Sequence, residues 1–143
     1  MSESPSTERV LAANEAFYAA VEAGDLDALR AVWTDSGDSV CVHPGAAPIH
    51  GSAAVLRSWA LVMASTDYIQ FFLTDVQVSV DGEVAAVTCT ENVLTGTGGG
   101  TGRGGEDAPF RGGRARAVNV FTKVDGRWRM WLHQASPVGS DVL

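Results

Sequence analysis

The sequence predicts an α+β fold in which three N-terminal helices cover a curved antiparallel sheet. Two observations lead to this prediction. Apolar residues recur every three or four positions before about residue 65, as in amphipathic helices, and alternate every second position from residue 68 onwards, as in strands. Asp-Gly pairs at 81–82 and 125–126 are typical of tight turns between antiparallel strands. Helices followed by such hairpins favour an α+β class over alternating α/β units.

Three segments have the pattern of amphipathic helices. The first carries its apolar stripe over residues 10–21 and ends before Gly24, which favours a helix end. Asp25 is the expected N-cap of a second, shorter helix. A third helix begins at Ser52 and ends near Ser65. The first two helices are expected to form a helical hairpin.

The remaining pattern predicts a short early strand, a loop and four long strands. The short strand covers residues 39–43, and the loop with two prolines and two glycines covers 44–51. The long strands are predicted over 68–80, 83–94, 114–124 and 127–136. Three helices cover only one face of such a sheet, so a homodimer through the other face is expected.

The chain is expected to form one domain over residues 7–137. Residues 1–6 are predicted to be a flexible N-terminus and 138–143 a tail. Residues 95–113 contain nine glycines and are predicted to be a flexible connection, either a flap over a pocket or an insertion without a role. The Gly-x-Gly-x-x-Gly match inside this run precedes no helix, so a nucleotide site is not predicted.

Charge and composition restrict the function classes. The formal net charge is −7, which disfavours nucleic acid as a partner. No run approaches 18 apolar residues, and the first residues lack a signal-peptide pattern, so no membrane association and a cytoplasmic location are expected. Cys41 and Cys89 are expected to be buried thiols. No histidine or cysteine pair has metal-ligand spacing, so no metal and no cofactor are predicted.

Four segments resemble one known group of proteins. They are the helix-hairpin sequence at 21–29, Cys-Val-His-Pro-Gly at 41–45, Pro-Ile-His-Gly at 48–51, and Trp-Leu-His-Gln-Ala-Ser-Pro at 131–137. In this order and spacing they resemble the SnoaL-like and ketosteroid-isomerase-like group of the nuclear transport factor 2-like superfamily. The resemblance extends over about residues 8–137, which is nearly the whole chain.

The resemblance implies a cone-shaped, strongly curved sheet, an α+β barrel, closed at one end by helices around an apolar pocket. Most members of the group dimerise through the outer sheet face. The group includes isomerases, cyclases, dehydratases and hydrolases as well as non-catalytic binding modules. The fold therefore does not decide between an enzyme and a binding protein.

The catalytic pattern of the steroid isomerases is altered in this chain. By resemblance, their carboxylate base falls on His43 and the acidic donor of the penultimate strand falls on Asn119. Their tyrosine donor falls on Phe17, with Tyr18 as its neighbour. Classical steroid isomerisation is therefore disfavoured. A histidine is nevertheless a suitable base at pH 7.

The candidate catalytic residues are His43 as general base, with Asn119 and His133 polarising the substrate. A small hydrophobic molecule is the expected ligand. The residues expected to line its pocket are Phe17, Tyr18, Trp59, Ala117, Phe121 and Trp131. Strand alternation with the register of the group turns residues 115, 117, 119 and 121, and residues 131, 133 and 135, towards the interior.

Simpler roles for the same residues stay open. His43 before a proline also fits a residue that anchors a loop by a hydrogen bond, and Asn119 fits a residue that satisfies a neighbouring backbone group. The function read from the sequence is a protein with a hydrophobic ligand pocket and isomerase, dehydratase or cyclase chemistry. The alternative is a non-catalytic dimeric ligand-binding or protein-interaction module.

Overall fold

The structure is a computed structural model that describes residues 5–96 and 110–138. Its helices are α1 (Pro5–Ala23), α2 (Leu26–Val32) and α3 (Ser52–Ser65). Its strands are β1 (Val40–Val42), β2 (Ile49–His50), β3 (Tyr68–Asp81), β4 (Val84–Gly96), β5 (Phe110–Val124) and β6 (Arg127–Pro137). Most of the predicted N-terminal segment, glycine-rich connection and tail lie outside the described residues.

The strands form one curved six-stranded sheet in the order β2-β1-β6-β5-β4-β3. The α+β class is confirmed. The described strands do not close into a barrel, because β2 and β3 lie at opposite edges of the sheet. One pair also departs from the antiparallel expectation, since β1 runs parallel to β6. A hairpin would join antiparallel strands that are consecutive in the chain. Strand β1 instead follows α2 and lies far from β6 in sequence, so the two strands can run parallel.

A second short strand lies within the segment that was predicted as a loop. Ile49 pairs with Cys41 in an antiparallel register, which makes β1 and β2 a hairpin. The turn is closed by the amide of Ala46, which donates to the carbonyl of His43 at 2.9 Å, and by Gly45 with φ of +77°. The prolines and glycines therefore indicated the turn correctly and hid the short strand that follows it.

Strand β5 begins at Phe110 and not at Arg114 as the sequence predicted. Gly113 lies directly opposite Val93 in the ladder between β4 and β5. Glycine is a poor strand former, but backbone pairing with a neighbouring strand does not depend on side-chain propensity. The ends of the predicted connection 95–113 are therefore part of the sheet.

The predicted hairpin of α1 and α2 is confirmed. Gly24 has φ of +64°, and its amide donates to the carbonyl of Val21 at 3.0 Å, so α1 ends in a left-handed turn. The carboxylate of Asp25 then accepts the amide of Ala28 at 3.0 Å and caps α2. The turn aims the two helices in different directions over the sheet.

The core lies between α1 and the concave face of the sheet. Phe17 is fully buried at its centre. Its ring makes edge contacts with Tyr18 at 4.8 Å, Trp59 at 5.4 Å and Trp33 at 6.3 Å between centroids. Aromatic pairs in this arrangement add to the burial of apolar area. The aromatic cluster joins all three helices to one another above the sheet.

A β-bulge changes the alternation of side chains in β6. Val120 pairs with Leu132, but Phe121 pairs with Met130, so Trp131 is the extra residue. Met130 is therefore buried, and Trp131 is 39% exposed on the outer face. The prediction that Trp131 faces the interior was wrong, because one inserted residue reverses the alternation on one side of a bulge.

The other alternation predictions are confirmed. Positions 115, 117, 119 and 121 of β5 are all buried, as are His133 and Ala135 of β6. On the outer face, exposed apolar side chains remain at Phe72, Val84 and Val118. The concave face is thus covered by helices, whereas the outer face presents apolar side chains to solvent.

The cap of α2 provides a test of the helical hairpin. Asp25→Ala should lower the free energy of unfolding by about 1 kcal/mol, because an amide at the helix start loses its acceptor. Asp27→Ala is the matched control, since the contact that Asp27 makes within the described residues is an exposed ion pair with Arg30. Urea unfolding of both variants measures the difference. An equal loss for the two variants would contradict the capping role.

Candidate functional site

A buried hydrogen-bond network occupies the concave face, and Asn119 on β5 lies at its centre. The Asn119 side-chain amide donates to Asn14 Oδ1 at 2.8 Å and to the Tyr18 hydroxyl at 3.1 Å. Asn119 Oδ1 lies 2.6 Å from His133 Nδ1. All four side chains are almost completely buried. Each of these four side chains is hydrogen-bonded to another member of the network, as buried polar groups usually are.

This network determines the tautomer of His133. Because an amide oxygen only accepts hydrogen bonds, His133 Nδ1 must carry the proton and Nε2 must not. Burial and, to a smaller extent, the charge that His43 can carry lower the pKa of His133 to about 3. His133 is thus a neutral histidine, only 2% exposed, beneath the rings of Phe17 and Trp59.

The network extends to a buried carboxyl group on β4. The Tyr18 hydroxyl donates to Glu91 Oε2 at 2.7 Å and lies 3.7 Å from the sulfur of Cys89. Burial raises the pKa of Glu91, and the hydrogen bond from Tyr18 opposes this in part. The pKa of Tyr18 is raised as well, first by burial and then by the charge on Glu91. Both pKa shifts are in the direction of the neutral form.

His43 follows β1 at the end of the sheet and is half-buried. Its Nε2 lies 2.9 Å from the hydroxyl of Ser58, and that hydroxyl donates its own hydrogen to the carbonyl of Val55 at 2.7 Å. His43 Nε2 must therefore supply the proton of the shared bond, which leaves Nδ1 unprotonated. Burial lowers the pKa of His43 below its ordinary value, so the ring is neutral at pH 7.

Burial keeps both cysteine thiols protonated at neutral pH. Cys41 lies beside His43, with the sulfur 3.7 Å from Nε2, and burial raises the pKa of Cys41 to about 12. Burial also raises the pKa of Cys89. Both cysteines are free and buried. Within residues 5–96 and 110–138, no cluster of three histidine, cysteine or acidic side chains could hold a metal ion.

Strand register puts His43 at the level of Cys89, and Glu91 lies two positions further along β4. Along the ladders, Val42 lies opposite Gln134, next to Ala135. Ala135 pairs with Ala117, and Glu91 pairs with Ala115. Three small residues, Ala115, Ala117 and Ala135, thus lie between His43 and Glu91 on the concave face. We call the region bounded by His43, Glu91 and these alanines the mouth of the sheet.

The interior holds most of the predicted ligand-lining residues and is tightly filled. These residues are Phe17, Tyr18, Trp59, Ala117 and Phe121, and each is at most 5% exposed. Trp131 is absent from this set because of the bulge. Of the three predicted catalytic residues, Asn119 and His133 meet in the buried network, and only His43 reaches the surface.

Neither of two concavities on the described residues is lined by His43. A groove of about 1250 Å³ lies against the outer sheet face and α2, with Arg30, Arg129 and Trp131 among its walls. A crevice of about 290 Å³ lies between the ends of α1 and α3 and the start of β3. The expected open cavity beside His43 is therefore not found among them.

Sequence reasoning missed Glu91, Asn14 and Ser58 as members of the site. A signal for Glu91 was present, because it continues the inward alternation of Val87 and Cys89 and is the one acid among them. Asn14 likewise interrupts the apolar stripe of α1. The contact of Ser58 with His43 joins positions 15 residues apart and has no local pattern.

Comparisons with known proteins agree with this fold. A sequence profile described as the SnoaL-like domain matches residues 10–140. A solved structure from Streptomyces avermitilis, a proposed dehydratase of the nuclear transport factor 2-like family, shares 47% identity with a TM-score of 0.85; the match covers 93% of this chain and 97% of that one. A search of curated proteins found no match.

Two further structures are similar. A proposed association domain of a calcium/calmodulin-dependent protein kinase type II from Thiobacillus denitrificans shares 32% identity over 90% of this chain and 94% of that one, with a TM-score of 0.75. A nuclear transport factor 2-like superfamily protein from Salmonella enterica shares 14% identity over 95% and 94%, with a TM-score of 0.79. At 14% identity, the Salmonella structure shows only that the fold is shared.

Among the described helices, none has the length and apolarity that crossing a membrane requires.

The buried, neutral state of His133 predicts a pH dependence of stability. Its folded pKa lies below its unfolded value of 6.5, so between pH 6.5 and about 3 the unfolded chain binds a proton that the folded chain does not. Relative to His133→Gln, the wild-type protein should lose about 1.4 kcal/mol per pH unit in this window. Urea unfolding from pH 7 to pH 4 measures this. Parallel curves for the two proteins would contradict it.

Proposed function

The chain belongs to the SnoaL-like domain family, and on this premise we propose that it binds a small hydrophobic carbonyl compound and acts on it by proton transfer, as a dehydratase- or isomerase-type enzyme. One observation carries the proposal. His43 is a half-buried, neutral imidazole whose Nε2 is bonded to Ser58, which leaves Nδ1 as a free base. No nucleic acid, membrane, metal or cofactor is part of the proposal.

The chemistry begins at His43. Its ring is held by the Ser58 bond on one side and by an edge contact with Trp59 at 4.7 Å on the other, so Nδ1 has a defined direction. A neutral imidazole takes a proton from the carbon next to a carbonyl, and the electrons of the broken C–H bond form an enolate. An imidazole with a lowered pKa remains available as a base at pH 7.

Asn119 and His133 act beneath the base in this proposal. His133 is held neutral by the Asn119 bond and by burial, and both histidine rings lie against Trp59. A neutral neighbour does not repel the positive charge that His43 gains when it accepts a proton. In this proposal the two residues therefore support the protonation of His43. They act through its surroundings, because their own buried polar atoms already bond to each other.

The similarity at 47% identity to a proposed dehydratase supports elimination of water as the reaction. In such a reaction the enolate expels a hydroxyl group from the neighbouring carbon. The aromatic residues of the interior favour an apolar ligand. The substrate class that follows is a small hydrophobic β-hydroxy carbonyl compound.

A second function, a non-catalytic dimeric binding or interaction module, is favoured by other observations. Phe17 and Trp59 fill the interior, and the outer face exposes Phe72, Val118 and Trp131. Exposed apolar side chains on an uncovered sheet face favour an interface. We propose a homodimer through this face in either case, because the face is present whether or not the protein is an enzyme.

Replacement of the base tests the enzyme proposal. With the β-hydroxy ketone formed from benzaldehyde and acetone as probe, the protein should release benzylideneacetone, measured by its ultraviolet absorbance. His43→Ala should lower kcat/KM by about 10²–10⁴-fold. In the wild type the rate should fall at acidic pH, below the ordinary histidine pKa of 6.5, because the pKa of His43 is lowered and a protonated imidazole is no base.

The control is His50→Ala, which removes an exposed histidine outside the mouth. This variant should keep the wild-type rate. Equal rates for His43→Ala and the wild type would remove His43 from the reaction. No turnover of the ketone by the wild-type protein, together with equal probe affinity in His43→Ala, would favour the binding module.

The proposed dimer is tested by a charge in the outer face. Val118 lies on β5 in the middle of the sheet and is 36% exposed. Val118→Arg should convert the dimer to a monomer in light scattering, because an unpaired charge in an apolar interface is costly. Leu61→Arg, at a position 71% exposed on α3, is the control and should leave the dimer intact. A monomeric wild-type protein would contradict the proposal.

A further inference from the structure

We propose that the groove between the outer sheet face and α2 is a ligand-binding site, and that its ligand is a planar aromatic carboxylate. The ring of the ligand stacks on Trp131, and its carboxylate bonds to Arg129. Both residues line the groove. The site is independent of the proposed function, because His43 and the buried network lie on the concave side of the sheet.

The groove has the size and lining of a small-molecule site. Its volume is about 1250 Å³, and its walls come from α2, α3 and the strands of the sheet. Val84 on β4 and Val124 on β5 are exposed there, and Leu56 on α3 adds further apolar surface. Small-molecule sites are typically concave and apolar, with a few polar groups that orient the ligand.

Trp131 supplies the stacking surface. Trp131 is the extra residue of the β6 bulge, and its side chain is 39% exposed in the groove. Bulges often turn a side chain in a new direction. A partly exposed indole offers a flat apolar surface, and an aromatic ring that packs on it removes both surfaces from water. The ligand should therefore carry a planar ring system.

Arg129 supplies a fixed positive charge beside the indole. Its Nη1 donates to the carbonyl of Ala31 at the end of α2, at 3.1 Å, which holds the guanidinium in place. A guanidinium has five donors, so others are left for a ligand. The ion pair found in the described part of the chain is Arg30–Asp27, so no carboxylate of these residues neutralises Arg129. A carboxylate is the group that matches a guanidinium in shape and charge.

The spacing of the two side chains fits one ligand. Arg129 and Trp131 are two positions apart on β6, which corresponds to about 6 to 7 Å along a strand. Met130 between them is fully buried, so both neighbours point away from the core. A carboxylate attached directly to a ring system spans this distance, with the anion at Arg129 and the ring on Trp131.

The other charges of the groove favour a ligand with a single negative charge. Asp27 is paired with Arg30, and Asp35 accepts the hydroxyl hydrogen of Ser52 at 3.3 Å. Asp38, on the loop after α2, also lines the groove and is exposed. These carboxylates repel a dianion such as a phosphate monoester more strongly than a monocarboxylate.

The groove and the proposed dimer interface occupy different parts of the outer face. Val118, which we place in the interface, is not among the lining residues of the groove. The lining residues from β5 are Thr122 and Val124, next to the turn at Asp125. We therefore expect the dimer and the monomeric Val118→Arg variant to bind the ligand equally well.

Calorimetric titration of the full chain with naphthalene-2-carboxylate tests the site. The wild-type protein should bind one molecule per chain. Arg129→Gln should weaken binding by about 10-fold or more, because a charge-assisted hydrogen bond is lost. Trp131→Leu should weaken it by about five-fold, because a stacked aromatic pair is lost. The controls Arg127→Gln and Phe72→Leu, at exposed positions outside the groove, should bind as the wild type does.

A neutral analogue separates a direct contact from a structural effect of Arg129→Gln. Naphthalene-2-carboxamide has the same ring and no charge, so the wild-type protein should bind it about 10-fold more weakly than the carboxylate. In Arg129→Gln the two compounds should bind equally, since the group that distinguishes them is gone. A preference for the carboxylate that persists in Arg129→Gln would overturn the role of Arg129.

The remaining outcomes decide between occupants of the groove. No binding of naphthalene-2-carboxylate to the wild type, or tighter binding of the cation 2-naphthylmethylammonium, would overturn the proposal. Unchanged affinity in both Arg129→Gln and Trp131→Leu would place the probe elsewhere and overturn the site. Binding to the Val118→Arg monomer alone, with a dimer that dissociates in Trp131→Leu, would assign the groove to a second copy of the chain and also overturn it.

Discussion

The concave face of this protein depends on one amide side chain. Asn119 bonds at the same time to groups on α1 and β6, namely Asn14, Tyr18 and His133, in a region that water does not reach. An amide suits this position because it both donates and accepts, whereas a carboxylate would only accept and an apolar residue would leave Asn14 and His133 without the bonds described here. The helical layer and the sheet are therefore joined by polar as well as apolar contacts.

Burial shifts the pKa values of two ionisable groups on this side of the sheet in opposite directions. Burial favours the neutral form of any group, so it lowers the pKa of His43 and raises the pKa of Glu91. A neutral imidazole is a base, so burial keeps His43 able to accept a proton at pH 7, and the same effect moves Glu91 towards its protonated form. Tyr18 orients the carboxyl group of Glu91, and Ser58 orients the ring of His43, because each hydroxyl bonds to one polar atom of its partner.

The bulge at Trp131 separates the two faces of the sheet. One extra residue keeps both Met130 and His133 in the interior, although they are an odd number of positions apart. The indole that strict alternation would have placed inside lies instead on the outer face, beside the groove near Arg129. Apolar area is thereby moved from the ligand side to the face where a second copy of the chain would pack.

The sequence by itself determined the α+β class, the helix ends at Gly24 and Asp25, the turns and the candidate base His43. These features depend on neighbouring residues, since periodicity, caps and turns act over a few positions. Only the tertiary structure decided the parallel pairing of β1, the outward position of Trp131 and the bond from Tyr18 to Glu91. Each of these depends on the register between segments far apart in the chain, and no local pattern encodes that register.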